Sequence, residues 1–305
     1  MANKKFSEFT LKTDSANVDF VVGYDGTDNV RIAPSNLGGG GASDLNGLSD
    51  CAVDGTSVYV SNVPSGLSGS PANNTVFGES AGNSLTTSPD NVFIGHNAGV
   101  NFNNTGGDGR NTVIGSGAGN DLTSGIYNTL LGYQAGGQNT NITTGNFNVM
   151  VGYQAKASTG AASNQNSFGY ASASTGNNQV TLGNSSIATL RCQVTSITAL
   201  SDQRDKTDIE TLPYGLDFID SLQPKQFVWD NRAETDGDGN EFFSSNKGKK
   251  DIGFIAQELQ SVDDDYLNLV YDENPDKLEA TYGRLIPVLV QAIKELKAEV
   301  ELLKG

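Results

Sequence analysis

Between residues 73 and 190 the apolar positions come in short bursts, each opened by asparagine and closed by glycine. Asn74-Thr75-Val76-Phe77-Gly78 returns as Asn91-Val92-Phe93-Ile94-Gly95, Asn111-Thr112-Val113-Ile114-Gly115, Asn128-Thr129-Leu130-Leu131-Gly132 and Asn148-Val149-Met150-Val151-Gly152. Degenerate copies follow at Asn166-Ser167-Phe168-Gly169 and Gln179-Val180-Thr181-Leu182-Gly183. The glycines are spaced 17, 20, 17, 20, 17 and 14 residues apart, and in the first five copies Ala81, Ala98, Ala118, Ala135 and Ala155 stand three residues after the glycine. A burst this short predicts a strand, and the polar stretch after it predicts turns. The spacings differ by three, so the loops vary while the strand is kept. The unit is one rung of a β-solenoid, which cannot bury its own apolar face and must stack on its neighbours. The alanines and glycines suit close backbone approach at a corner or an axis. A disordered Gly/Asn tract would not hold apolar residues in phase with glycine.

The flanks read differently. Residues 1–37 predict a small β module, with Phe6, Phe9 and Leu11 in apolar spacing, Val18, Phe20 and Val22 alternating, and a turn at Gly23-Tyr24-Asp25-Gly26. Residues 38–72 form a linker and bridging segment. It opens on Gly38-Gly39-Gly40-Gly41, holds one strand at Val58-Tyr59-Val60, and is broken by Pro64, Gly66, Gly69 and Pro71. Residues 191–200 connect the repeats to the last unit, residues 201–305, where glycine becomes sparse and charge dense.

That last unit predicts a mixed α+β domain. A short helix is expected over Tyr214 to Leu222, then Pro224-Lys225-Gln226-Phe227-Val228-Trp229, a polar loop from Asp230 to Lys250, and Gly253-Phe254-Ile255-Ala256-Gln257-Glu258-Leu259. The chain closes on Tyr282-Gly283-Arg284-Leu285-Ile286-Pro287 and a helix to Leu303, with Pro287 in the first turn, where proline is tolerated. Ile286, Leu289, Ile293, Leu296, Val300 and Leu303 are spaced 3, 4, 3, 4, 3, which is a heptad seam. Glu299 and Lys304 fall at positions for an interchain pair. β-branched residues at one seam position and leucine at the other lean by themselves towards parallel dimers. A single amphipathic helix packed on its own domain is the alternative.

Composition sharpens this picture. Glycine supplies 37 of 305 residues, above the roughly 7% of ordinary proteins, and charged residues only 18%. That suits repetitive β-structure better than a globular enzyme. A net charge of −16 with no basic run argues against a nucleic-acid partner. No stretch reaches the ~18 apolar residues of a membrane span, so no membrane insertion is expected. Met1-Ala2-Asn3-Lys4-Lys5-Phe6 lacks the apolar core of a signal peptide. Cys51 and Cys192 have no metal spacing and suit packing in a reducing compartment.

The repeats resemble the β-roll heads of trimeric autotransporter adhesins and the short repeats of phage tail fibres. The C-terminal third resembles the endosialidase-type intramolecular chaperone of phage tailspikes and tail fibres. The ordered motifs are the Ser201-Asp202-Gln203-Arg204-Asp205-Lys206 opening, the Pro224–Trp229 element, Gly253–Leu259, and a helix containing Ala292-Ile293-Lys294-Glu295-Leu296. The resemblance implies a mainly β fibrous homotrimer, a solenoid followed by an α+β chaperone ending in a coiled-coil helix. It implies trimers where the seam alone leans to dimers.

It further implies autoproteolysis between Leu200 and Ser201, with Ser201 as nucleophile and Lys206 as its partner. The residue types suit that chemistry. A serine hydroxyl needs a base, and an uncharged lysine amine can serve. Lysine loses its charge through desolvation or nearby cations. Arg204 is expected to supply positive field, with Asp202 and Asp205 opposing it if turned inward. Asp205 departs from the apolar residue expected there, which bears on cleavage efficiency. Ser201 precedes its own scissile bond, so attack on the Leu200 carbonyl as an acyl shift is one route, and the route stays open. A cap or turn role for Ser201 is the bland alternative.

The expected function is a phage tail fibre or tailspike in the virion, made in the host cytoplasm. Residues 1–37 would meet tail or baseplate proteins, and the solenoid a host glycan or outer-membrane component. A glycan depolymerase is an alternative, although no carboxylate pair in the repeats suggests a glycosidase. A bacterial adhesin would need a signal peptide and an anchor. No cofactor or metal is expected. Glu234 to Asn240 resembles a calcium loop but puts Glu234 and Ser245 where the frame needs Asp and Glu. His96 stands alone in a repeat loop, although three-fold symmetry would bring its copies together.

Overall fold

A computed structural model describes residues 21–24, 29–32, 51–54, 57–60, 72–137, 141–193, 197–235 and 239–305. The expectations for Phe6, Phe9, Leu11, Val18, Phe20, the four-glycine run and Pro64 to Pro71 lie outside the described residues. Near the start, β1 (Val21–Tyr24) and β2 (Asn29–Ile32) pair antiparallel. Strand β1 runs through Tyr24, so Gly23 and Tyr24 of the expected Gly23 to Gly26 turn lie in the strand, and Asp25 and Gly26 lie outside the described residues.

The main body is one nine-stranded sheet. It begins with β3 (Cys51–Asp54) and β4 (Ser57–Val60), an antiparallel pair. Then come β5 (Thr75–Phe77), β6 (Val92–Ile94), β7 (Thr112–Ile114), β8 (Thr129–Leu131), β9 (Val149–Val151), β10 (Gln165–Phe168) and β11 (Gln179–Leu182). Spatial order follows chain order throughout, and every pair from β4 to β11 is parallel. Parallel neighbours joined by so few residues, with no helix between them, make a coil. The chain is a β-solenoid.

Its register explains the repeat. Val76, Phe93, Val113, Leu130, Met150 and Ser167 stack one on the next and are fully buried. The five alanines also lie inside and are fully buried, facing the strand residues across a narrow lumen. Leu85, Phe102, Leu122 and Ile142 complete the core from the loop side. The two long rungs insert their extra residues at different corners. One insertion falls after Phe102, the other before Ile142, so the core position is kept in both.

Two ladders fix the corners. The opening asparagines are buried, and each carboxamide oxygen accepts the backbone N–H of the asparagine above. Asn91 donates to Asn74 Oδ1 at 2.9 Å, Asn111 to Asn91 at 3.1 Å, Asn128 to Asn111 at 3.0 Å and Asn148 to Asn128 at 3.0 Å. The Nδ2 atoms reach carbonyls across the lumen, for example Asn128 to Gly145 O at 2.8 Å. The closing glycines form the second ladder. Gly115 has φ of +137°, and a Cβ there would lie 2.2 Å from the Gly132 carbonyl oxygen. Only glycine adopts that backbone and permits that approach.

The α+β unit has a separate core. Its elements are α1 (Leu216–Ser221), β12 (Lys225–Val228), the hairpin β13 (Glu234–Thr235) and β14 (Glu241–Phe242), β15 (Lys250–Gly253), α2 (Ala256–Gln260), β16 (Val270–Tyr271), β17 (Glu279–Ala280) and α3 (Leu285–Lys304). Strand β12 pairs antiparallel with β15, and β16 with β17. Leu222, Leu259, Leu267, Leu269, Leu285 and Val288 form the centre, with Phe218, Ile219 and Phe254 packed against it. Helix α1 starts two residues later than the expected Tyr214, because Gly215 takes the capping position and Tyr214 turns its hydroxyl to Asp264.

Candidate self-cleavage site

Every described residue from 197 to 211 is exposed, so the Leu200–Ser201 bond lies in a segment that neither core covers. Just beyond it the chain makes one tight turn over Gln203–Asp205. Asp202 caps that turn, its carboxylate accepting the Arg204 N–H at 2.9 Å. The turn brings Lys206 back on Ser201. Lys206 Nζ donates to Ser201 Oγ at 2.5 Å and to the Ser201 carbonyl at 3.0 Å. The two residues named from the sequence are therefore in contact, and the intervening cap role belongs to Asp202 and not to Ser201.

Arg204 does not face Lys206. Its guanidinium grips Asp202 with two bonds, Nε to Oδ1 at 3.0 Å and Nη2 to Oδ2 at 2.7 Å. The side-chain bond from Arg204, then the backbone bond, holds the Asp202 carboxyl below the usual range, and the Asp202 side chain raises Arg204 in turn. The expected positive field from Arg204 is directed at Asp202.

Helix α3 presents two distinct faces. Leu285, Val288 and Ala292 are buried against the domain's own core. The seam residues Ile286, Leu289, Ile293, Leu296, Val300 and Leu303 are all exposed, between 39% and 87%. The domain's own packing therefore uses other positions and leaves the seam free. Glu295, between the two faces, accepts the Leu216 N–H at 2.7 Å and is braced by Gln291 Nε2 at 2.8 Å. The backbone bond from Leu216, then Gln291, holds its carboxyl below the usual range. Sequence reasoning assigned Glu295 no role, although it sits in the quoted helix motif. It equally missed Tyr282, whose hydroxyl would lie 2.6 Å from a Cβ on Gly253 and accepts the Phe254 N–H at 3.2 Å.

His96 is exposed. Among the described residues no three His, Cys, Asp or Glu side chains are grouped to hold a metal ion, and no helix is long and apolar enough to cross a membrane. Part of the Glu234 to Asn240 loop lies outside the described residues.

Residues 201–268 match the family model described as chaperone of endosialidase, an autoproteolytic chaperone family. The match opens on Ser201, the residue that Lys206 touches, and ends before α3. No curated protein and no solved structure matches the chain. The chain thus joins a β-solenoid to an α+β unit whose residues 201–268 are similar to the endosialidase chaperone.

Proposed function

We propose that this chain is a homotrimeric phage tail fibre or short tailspike whose chaperone domain assembles the trimer and then cuts itself off. The reading rests on one observation: a β-solenoid runs directly into an endosialidase-type chaperone at the point where Lys206 touches Ser201. Residues 1–37 attach to tail or baseplate proteins, and the solenoid carries the host-binding surface. The α3 seams of three chains associate first. Long-range parallel β-structure nucleates slowly and is exposed to misregister, so a helical clasp speeds its start.

Cleavage is a single self-directed turnover. Lys206, as the free amine, takes the Ser201 Oγ proton, and the oxygen attacks the Leu200 carbonyl carbon. The C–N bond breaks, the leaving nitrogen takes a proton, and an ester links Leu200 to Ser201. Water then hydrolyses that ester, leaving a Leu200 carboxylate and a free Ser201 hydroxyl. The chain supplies the proximity. Once the clasp has gone, the fibre is held by its barrier to unfolding.

Intact mass measurement of wild type beside Ser201→Ala tests the cut, and light scattering tests the assembly. Wild type should give fragments ending at Leu200 and beginning at Ser201, with Ser201→Ala intact and both trimeric. An intact, trimeric wild type would remove the cut and keep the chaperone.

A further inference from the structure

The solenoid sheet has an outer face that no other described part of the chain covers. The last residue of each strand from β5 to β11 points outward and gives the row Phe77, Ile94, Ile114, Leu131, Val151, Phe168, Leu182. Phe77, Leu131, Phe168 and Leu182 are exposed, and the others are half-buried by their neighbours alone. The position two residues earlier gives a parallel row of Thr75, Val92, Thr112, Thr129, Val149, Asn166 and Val180. Neither row carries a charge over seven rungs, in a chain of net charge −16.

We propose that this face packs against the same face of sister copies around a common axis, rung against identical rung. The inference rests on the trimeric reading above and assigns its surface. Three features favour a second copy over another occupant. The first is extent. Seven rungs at ~4.8 Å run about 29 Å, and with the flanking positions the patch is on the order of 500 Å². A contiguous apolar patch of that size marks an interaction surface, which isolated surface residues do not build. The second is chemistry. The row from Phe77 to Leu182 carries no side-chain donor, acceptor or charge, so it offers the hydroxyls of a sugar no hydrogen bond. The third is direction, since parallel rungs in sister chains present matching rows only when the copies run parallel, as the α3 seam also requires.

The row also accounts for the clasp. Its residues are so alike that a slip of one rung still sets apolar against apolar. The face therefore attracts strongly and discriminates register weakly. Register must come from elsewhere, and the α3 seams are fixed to the last rungs by the chain itself. Tyrosines rim the face: Tyr133 stacks on Tyr153 with ring centroids 5.1 Å apart, and Tyr153 meets Tyr170 at a tilt with centroids 5.6 Å apart.

The full chain carrying Leu131→Lys with Val151→Lys is compared by light scattering with Ser124→Lys plus Thr144→Lys. The second pair adds the same charge at exposed loop positions of the solenoid. The face variant should lose trimer after cleavage, and the loop variant should keep it. A milder substitution guards against misfolding: within a wild-type-like trimer, Leu131→Cys should react with a maleimide at least about tenfold more slowly than Ser124→Cys. Equal labelling in an intact trimer overturns this inference and leaves the trimeric reading standing. Protection that appears only when host polysaccharide is added overturns it in favour of a glycan site. A monomeric wild type overturns both.

Discussion

Gly215 lies where Glu295 must reach: a Cβ on Gly215 would stand 1.9 Å from the Glu295 carboxylate oxygen that accepts the Leu216 N–H. The glycine thus lets the terminal helix cap α1, and it ties the seam-bearing helix to the chaperone core. Gly215→Ala should displace Glu295 and cost about 1 kcal/mol, the usual scale of a lost helix cap. Thermal unfolding of the isolated Ser201→Ala trimer should show the lower midpoint. An unchanged midpoint would mean that the cap contributes nothing.

Lys206 can be separated from a general need for positive charge. Lys206→Arg keeps the charge but cannot give up its proton to become a base. Both Lys206→Arg and Lys206→Met should slow cleavage by about a hundredfold or more, the scale of a lost general base. Time-resolved gel analysis of freshly folded protein reads the rate. Wild-type cleavage in Lys206→Arg would assign the proton transfer to another group.

Acid should loosen the chaperone, through three carboxylates. The side-chain bond from Tyr214 lowers Asp264, that from Trp229 lowers Asp251, and the backbone bond from Leu216 lowers Glu295. A lowered folded-state value contributes stability above the unfolded value of about 4, lost as pH falls through the folded one. Unfolding followed from pH 6 to pH 2 should show that loss at the acid end. Tyr214→Phe removes the largest cause of the Asp264 shift and should shrink the loss. An identical acid profile in Tyr214→Phe would exclude this linkage.

The solenoid should be far less tolerant at its glycines and asparagines than at its loops. Asn128→Ala leaves the Asn148 N–H without its acceptor inside the wall, at about 1–3 kcal/mol. Gly132→Ala meets the Gly152 carbonyl at 2.5 Å with φ at +134° and should cost at least about 3 kcal/mol. Ser124→Ala, exposed in the loop that precedes Asn128, should be silent. Chemical denaturation of the three variants ranks them, and equal midpoints would contradict both ladders.

The fold was legible where the sequence repeats. The phase of Val76, Phe93, Val113, Leu130 and Met150 against their glycines named the strands, and the structure stacks those residues directly. The asparagines were visible as a recurring letter, yet their bonds run between residues 17 or 20 apart, so no local pattern shows what they do. At the candidate cleavage site Ser201 and Lys206 were found by motif, and a five-residue turn is short enough for sequence to suggest their contact. Arg204 misled, because a neighbouring Asp202 two residues away captures a guanidinium more readily than a distant amine attracts its field. Glu295 and Tyr282 were missed because their partners, Leu216 and Phe254, lie far along the chain.

The strictly sequential stacking of the sheet turns the repeat into a ruler. Each copy of the motif adds one rung, about 4.8 Å of length, whether its loop brings 17 residues or 20. Fibre length is therefore counted in whole units, while girth and surface chemistry are set by the loops. Duplicating or deleting one copy would move the far tip by one step and leave the α+β unit, the proposed cut and the α3 seam untouched.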